Sequence, residues 1–226
     1  MTPAEVSAAL MGALRDAGRS VPDVGLRCLE AGVYGSPVAL RIGLDAQVLA
    51  GALEGVPGIA RVDVHGGFLR ITVACPGELA ADIVAEGERY GWEMVRPHSW
   101  PDRPRTFDNP GFRVRYAYAR AAAVGRRARD LGVRPGRPVG LERREELALL
   151  GLLGEMPGWA RREEFPGFLL RLADGFHDVY ERCPALPQGE EKPGAVHAAR
   201  ATLAEAARIA LSNGLKMIGE TPRERL

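Results

Sequence analysis

The spacing of apolar residues divides the chain into two regimes. Up to about residue 90, short segments of both helical and strand period follow one another. Thr2-Pro3-Ala4-Glu5 reads as a helix start, with Thr2 as cap, Pro3 in the first turn and Glu5 placed to close a capping box. Val6, Leu10, Met11 and Leu14 then form an apolar stripe, and Gly18 ends the helix. Residues 24–29 and 38–42 read as strands. Asp45 is placed to cap a short helix running through Leu53. Residues 59–65 and 68–73 alternate apolar and polar positions on either side of Gly66-Gly67, which predicts a hairpin with a tight glycine turn. Pro76 to Tyr90 reads as an amphipathic helix with Leu79, Ile83 and Val84 on its buried side. Residues 1–92 therefore predict a small α+β domain with a sandwich of helices on a sheet.

The second regime is helical throughout. Residues 93–107 hold Pro97, Pro101 and Pro104 and predict an extended connector. Beyond it the 3.6-residue period covers roughly 109–130, 141–154, 165–183 and 194–218, with breaks at Pro135-Gly136 and between Pro184 and Pro193. Four helices with short joins over residues 108–226 predict an up-down, all-α bundle. The fold class expected for the whole chain is α+β.

Composition narrows the function. No apolar run approaches ~18 residues, so no membrane partner is expected, and the N-terminus does not read as a secretory signal. Cys28, Cys75 and Cys183 form no paired spacing and read as idle thiols of a reducing cytoplasm. His65, His98, His177 and His197 lack metal-ligand spacing, and His177 and His197 are expected to be hydrogen-bonded structural residues. No phosphate-cradling glycine loop follows a strand, and no nucleophile–base set is readable, so neither a cofactor, a metal nor catalysis is expected.

Charge changes the picture more. The net charge is only +1, yet residues 96–140 hold 11 basic and 3 acidic side chains, against 7 and 12 in residues 1–95. A local excess of this size can meet a phosphate backbone. It also fits a solvated linker followed by a polar helix face. Within it, Phe112, Tyr116 and Tyr118 interleave with Arg113, Arg115 and Arg120 on one predicted helix, capped by Asp108 with Pro110 in its first turn. Aromatic faces and guanidinium forks side by side are what an exposed RNA loop requires.

Asn109 to Arg120 resembles the opening helix of the anticodon-binding domain of arginyl-tRNA synthetases, whose pattern is close to Asn-Pro-x-Tyr-x-Val-Gln-Tyr-Ala-His-Ala-Arg. Arg115 stands where that family has Gln, and Tyr118 where it has His. Phe176-His177-Asp178-Val179-Tyr180 is similar to the family's Phe-His-x-Phe-Tyr. Asn213-Gly214-Leu215 through Gly219 is similar to its Asn-Gly-Leu-x-Leu-Leu-Gly, with Leu226 in place of a final Met. Gly67-Phe68-Leu69-Arg70 resembles a strand of that family's N-terminal additional domain, Arg70 replacing Asn. The catalytic domain that lies between these parts in the synthetases has no counterpart between Tyr90 and Asn109, and neither His-x-Gly-His nor Lys-Met-Ser-Lys-Ser occurs.

The resemblance implies a non-catalytic paralogue that binds tRNA, with an arginine tRNA as first candidate. Asn109, Arg113, Tyr116, Arg120, Phe176, Tyr180 and the tail to Leu226 would meet the anticodon loop. Arg113, Arg115, Arg126 and Arg127 would meet phosphates, while Phe68 and Arg70 would meet the D-arm. A core position for Phe68 is the alternative reading of that hairpin. The competing function is a protein-interaction module that docks on a synthetase or another translation or biosynthetic protein after losing its RNA affinity.

Overall fold

A computed structural model describes residues 1–226. The chain is α+β: a four-stranded antiparallel sheet with its helices, followed by a helical half. Helix α1 (Pro3–Asp16) starts on the capping box foreseen from sequence. Thr2 Oγ1 accepts the Glu5 amide at 3.2 Å, and Glu5 accepts the Thr2 amide at 2.9 Å. Strands β1 (Arg27–Glu30) and β2 (Val33–Ser36) follow, then α2 (Val38–Ile42), α3 (Ala46–Glu54), β3 (Ile59–His65) and β4 (Phe68–Val73). The sheet order is β1-β2-β4-β3. Asp45 caps α3 through the Gln47 amide. Gly66 and Gly67, at φ +56° and +81°, make the two-residue turn between β3 and β4.

Residues 38–42, expected as a strand, are a single helical turn and a half. Five residues cannot separate a period of 2 from one of 3.6. Pro37 supplies the start, and Gly43, at φ +65°, ends the turn by donating to the Ala39 and Leu40 carbonyls. The strand actually used, β2, is buried at all four residues, so it shows no alternation to detect. β1 correspondingly lies later than expected, on Arg27–Glu30 rather than 24–29.

The register of β4 turns Leu69, Ile71 and Val73 inward against α1 and α3, where they meet Val6, Leu10, Leu14, Leu49 and Leu53. Helix α4 (Glu78–Glu86) and the 3₁₀ turn Gly87–Arg89 belong to a second core. Leu79, Ala80, Ile83 and Tyr90 are buried with residues of α5 (Pro110–Asp130), α6 (Arg144–Trp159), α7 (Phe165–Arg182) and α8 (Ala195–Met217). Val84, expected on that buried side, is exposed.

Polar contacts fix this junction. Asn213 Nδ2 donates to the Gly87 and Tyr90 carbonyls, both at 3.0 Å. The Tyr90 hydroxyl donates to the Leu153 carbonyl at 2.6 Å. That carbonyl is the one whose helical partner would be the amide of residue 157, which is Pro157 and has none. Pro157 sits in the last turn of α6, and the helix runs on to Trp159 instead of ending near 154. Gly214 brings α8 against α7, since a Cβ there would lie 2.3 Å from Leu169 Cδ2.

The connector 93–107 has no helix or strand, and it is tied down. The His98 amide donates to the Ile218 carbonyl at 2.9 Å. Asn109 Nδ2 donates to the carbonyls of Pro101 and Pro104, both at 2.9 Å.

Candidate nucleic-acid interface

Helix α5 organises the site. Its N-cap is Asn109, not Asp108: Asn109 Oδ1 accepts the Gly111 and Phe112 amides at 3.0 and 3.3 Å. Asn109 is 5% exposed, so it shapes the helix start and presents nothing to a ligand. Val114, Ala117, Tyr118, Ala121 and Val124 face the core, and Tyr118 is buried with them.

The outer face carries a continuous row. Phe112 and Tyr116, four residues apart, stack at 5.3 Å with 12° between their planes. The Arg120 guanidinium continues the row, 4.7 Å from the Tyr116 ring and 4.4 Å from the Tyr180 ring on α7. Tyr180 also borders a cavity of about 220 Å³ whose other walls include Val124, Val179, Cys183, Leu186 and Arg200. Phe176 departs from expectation. It is 1% exposed and packed in the core beneath Tyr180, so it offers no face to a base.

The arginines are less free than their sequence density implies. Arg113 pairs with Asp174, and Arg120 lies 3.6 Å from Glu181. Arg126 pairs with Glu224 at 2.8 Å. Arg115, 14% exposed, holds Glu220 through two contacts of 2.7 Å and also donates to the Trp100 and Pro101 carbonyls. Its pKa is raised, chiefly by the Glu220 hydrogen bonds. Arg115 therefore straps the connector and the C-terminal tail onto α5, and the expectation that it meets a phosphate does not fit its burial. Arg127 is exposed and stands in no ion pair, as are Arg103, Arg105 and Arg134. Arg105, which motif reasoning did not single out, lines a recess of about 290 Å³ with Phe112, Arg115, Arg223 and the half-exposed Leu226. Only the folding of connector and tail onto α5 brings these residues together.

His177 departs from expectation too. Its ring lies 5.5 Å from Phe107, 5.8 Å from Tyr116 and 6.3 Å from Phe176, and neither ring nitrogen has a hydrogen-bond partner. Its pKa is lowered, first by burial and next by the Arg120 charge; the Arg113 carbonyl, Asp174 and Glu181 oppose the shift. His197, by contrast, accepts the Gly194 amide at 3.1 Å and is structural as expected.

Phe68 and Arg70 sit elsewhere, on the face of the sheet turned away from α1 and α3, and Phe68 is partly buried there. The Phe68 ring lies over Gly35, where a Cβ would come within 2.6 Å of its Cζ, and beside Leu29. Arg70 pairs with Glu30. No group of three His, Cys, Asp or Glu is arranged to hold a metal, and no helix is long and apolar enough to cross a membrane.

The helical bundle displays an aromatic–guanidinium row along its first helix. Residues 114–226 match the DALR anticodon binding domain, and the chain belongs to that family. The family is an anticodon-binding domain of synthetase-related proteins, so tRNA is the ligand class it implies.

Proposed function

We propose that the protein is a non-catalytic relative of arginyl-tRNA synthetase that holds a tRNA by its anticodon loop. The observation that carries this is the Phe112–Tyr116–Arg120–Tyr180 row, partly exposed along a DALR-type bundle. Unpaired loop bases stack along its open edge, each stacked base contributing ~1–3 kcal/mol. Arg127, Arg105 and Arg103 supply the salt-sensitive phosphate contacts. An arginine tRNA is the first candidate, on the motif resemblance, and the cytoplasm is where that partner is met. Phe68 on its face of the sheet makes a second contact, of D-arm type, with Arg70 contributing less because Glu30 holds it.

We divide the chain into an additional-domain-like part, 1–92, a connector, 93–107, and an anticodon-binding part, 108–226. The absence of catalysis is supported by direct packing between the parts: Tyr90 and Asn213 bond across the junction where a synthetase carries its catalytic domain. Arg120→Ala is expected to weaken tRNA binding about tenfold at fixed salt by removing the cation between the two tyrosines. An unchanged dissociation constant would remove the row from the binding site. Aminoacylation or ATP–pyrophosphate exchange by the purified chain would contradict the non-catalytic assignment.

A second reading is favoured by the ion pairs. Four arginines of α5 already have carboxylate partners, as a module that had given up RNA for a protein partner would. Under that reading the chain binds a purified arginyl-tRNA synthetase in sedimentation experiments after nuclease treatment, and binds no tRNA.

A further inference from the structure

His177 is 9% exposed, and both its ring nitrogens lack a partner, although three aromatic rings surround it. Buried polar atoms left unpaired are rare in native proteins and call for a cause. One of those rings, Phe107, is 51% exposed and belongs to the connector rather than to a helix. It touches Phe112, Tyr116 and His177 edge-on, at 6.0, 5.6 and 5.5 Å. The backbone around it is held by Asn109 through the carbonyls of Pro101, Pro104 and Thr106. The Phe107 side chain can thus leave its slot without breaking a hydrogen bond. The slot is then bounded by two stacked rings and by an imidazole with free donor and acceptor capacity.

We propose that Phe107 holds the place of one unstacked nucleobase, and that His177 reads the edge of that base when it replaces the phenyl ring. A neutral imidazole offers one N–H and one lone pair, enough to discriminate a base edge that presents the complementary atom. Burial and the Arg120 charge favour that neutral form. In the slot the phenyl ring stands at 87–90° to the Phe112–Tyr116 pair, a contact that a base can take over. The inference rests on the α5 face being the RNA site.

The test is fluorescence anisotropy of the full chain with labelled anticodon stem-loops of an arginine tRNA, varied one loop base at a time, at fixed salt. His177→Phe keeps the ring and deletes the nitrogens. It should raise the melting temperature, weaken binding of the preferred loop about tenfold, and flatten the preference at one loop position only. His177→Gln, with a donor and an acceptor, should restore part of that preference. Phe107→Ala should bind as tightly as the natural protein or tighter, with the base preference intact. Two results overturn the assignment: His177→Phe binding every loop variant as the natural protein does, or Phe107→Ala weakening binding as much as Tyr116→Ala. Both are measured against RNA binding by the natural chain. If that binding is itself absent, the RNA reading of the α5 face fails and this assignment with it.

Discussion

Arg115 stands two residues from Arg113, yet the fold uses the two differently. Arg113 is paired at a half-exposed position, whereas Arg115 and Glu220 are both largely buried and fasten the tail and the connector to α5. Arg115→Ala leaves a buried carboxylate without its partner and is expected to cost about 3 kcal/mol. For a chain of this size that lowers the melting temperature by roughly 6–12 °C, which calorimetry would register. No sequence rule separates such a strap from a phosphate ligand, because the partner, Glu220, lies at the far end of the chain. The aromatics divided the same way. Helical spacing put Phe112 and Tyr116 on one face correctly, but Phe176 and Tyr180 sit one turn apart with only Tyr180 reaching the surface. His177 adds a pH term. Its folded pKa lies below its ordinary value of 6.5, so the unfolded chain takes up the proton first. This contribution to stability is whole above about pH 7 and declines as pH falls through 6.5 toward the lowered folded value. His177→Phe should remove that part of the decline in urea titrations run at pH 7.5 and below; an identical decline in the variant would refute it.

At the scale of elements, legibility followed local chemistry. The α1 capping box, the Gly66-Gly67 hairpin and the long helices α5, α7 and α8 carry their own signals and form where the pattern puts them. β2 and α2 do not, because one is buried on both faces and the other is a turn and a half long. α6 shows a third situation. Pro157 removes a backbone donor, yet the helix runs two residues past it, and Tyr90 supplies from the N-terminal part the donor that the proline lacks. That long-range repair is invisible to any local rule. Tyr90→Phe leaves the Leu153 carbonyl buried and unpaired and should cost about 1–3 kcal/mol. Urea unfolding would reveal it as a lower midpoint with an unchanged slope. An unshifted midpoint would show the bond to be dispensable.

Over the whole molecule, the two halves meet along α4, the 3₁₀ turn and α8, and the connector runs back over the bundle instead of spanning a gap. The excess of positive charge in residues 96–140 was legible. Its partition into internal pairs and free arginines was not, since it depends on which acids the fold delivers. The free set predicts the electrostatics: Arg127→Ala should reduce the slope of log K against log salt by about 1, whereas a phosphate contact already lost to an internal pair leaves the slope unmoved. The most direct test of tRNA recognition is a mobility-shift titration of the purified protein against total tRNA at two salt concentrations, with the bound RNA sequenced. The expected result is binding that weakens with salt and enriches arginine tRNAs. Binding absent at both salts would contradict it.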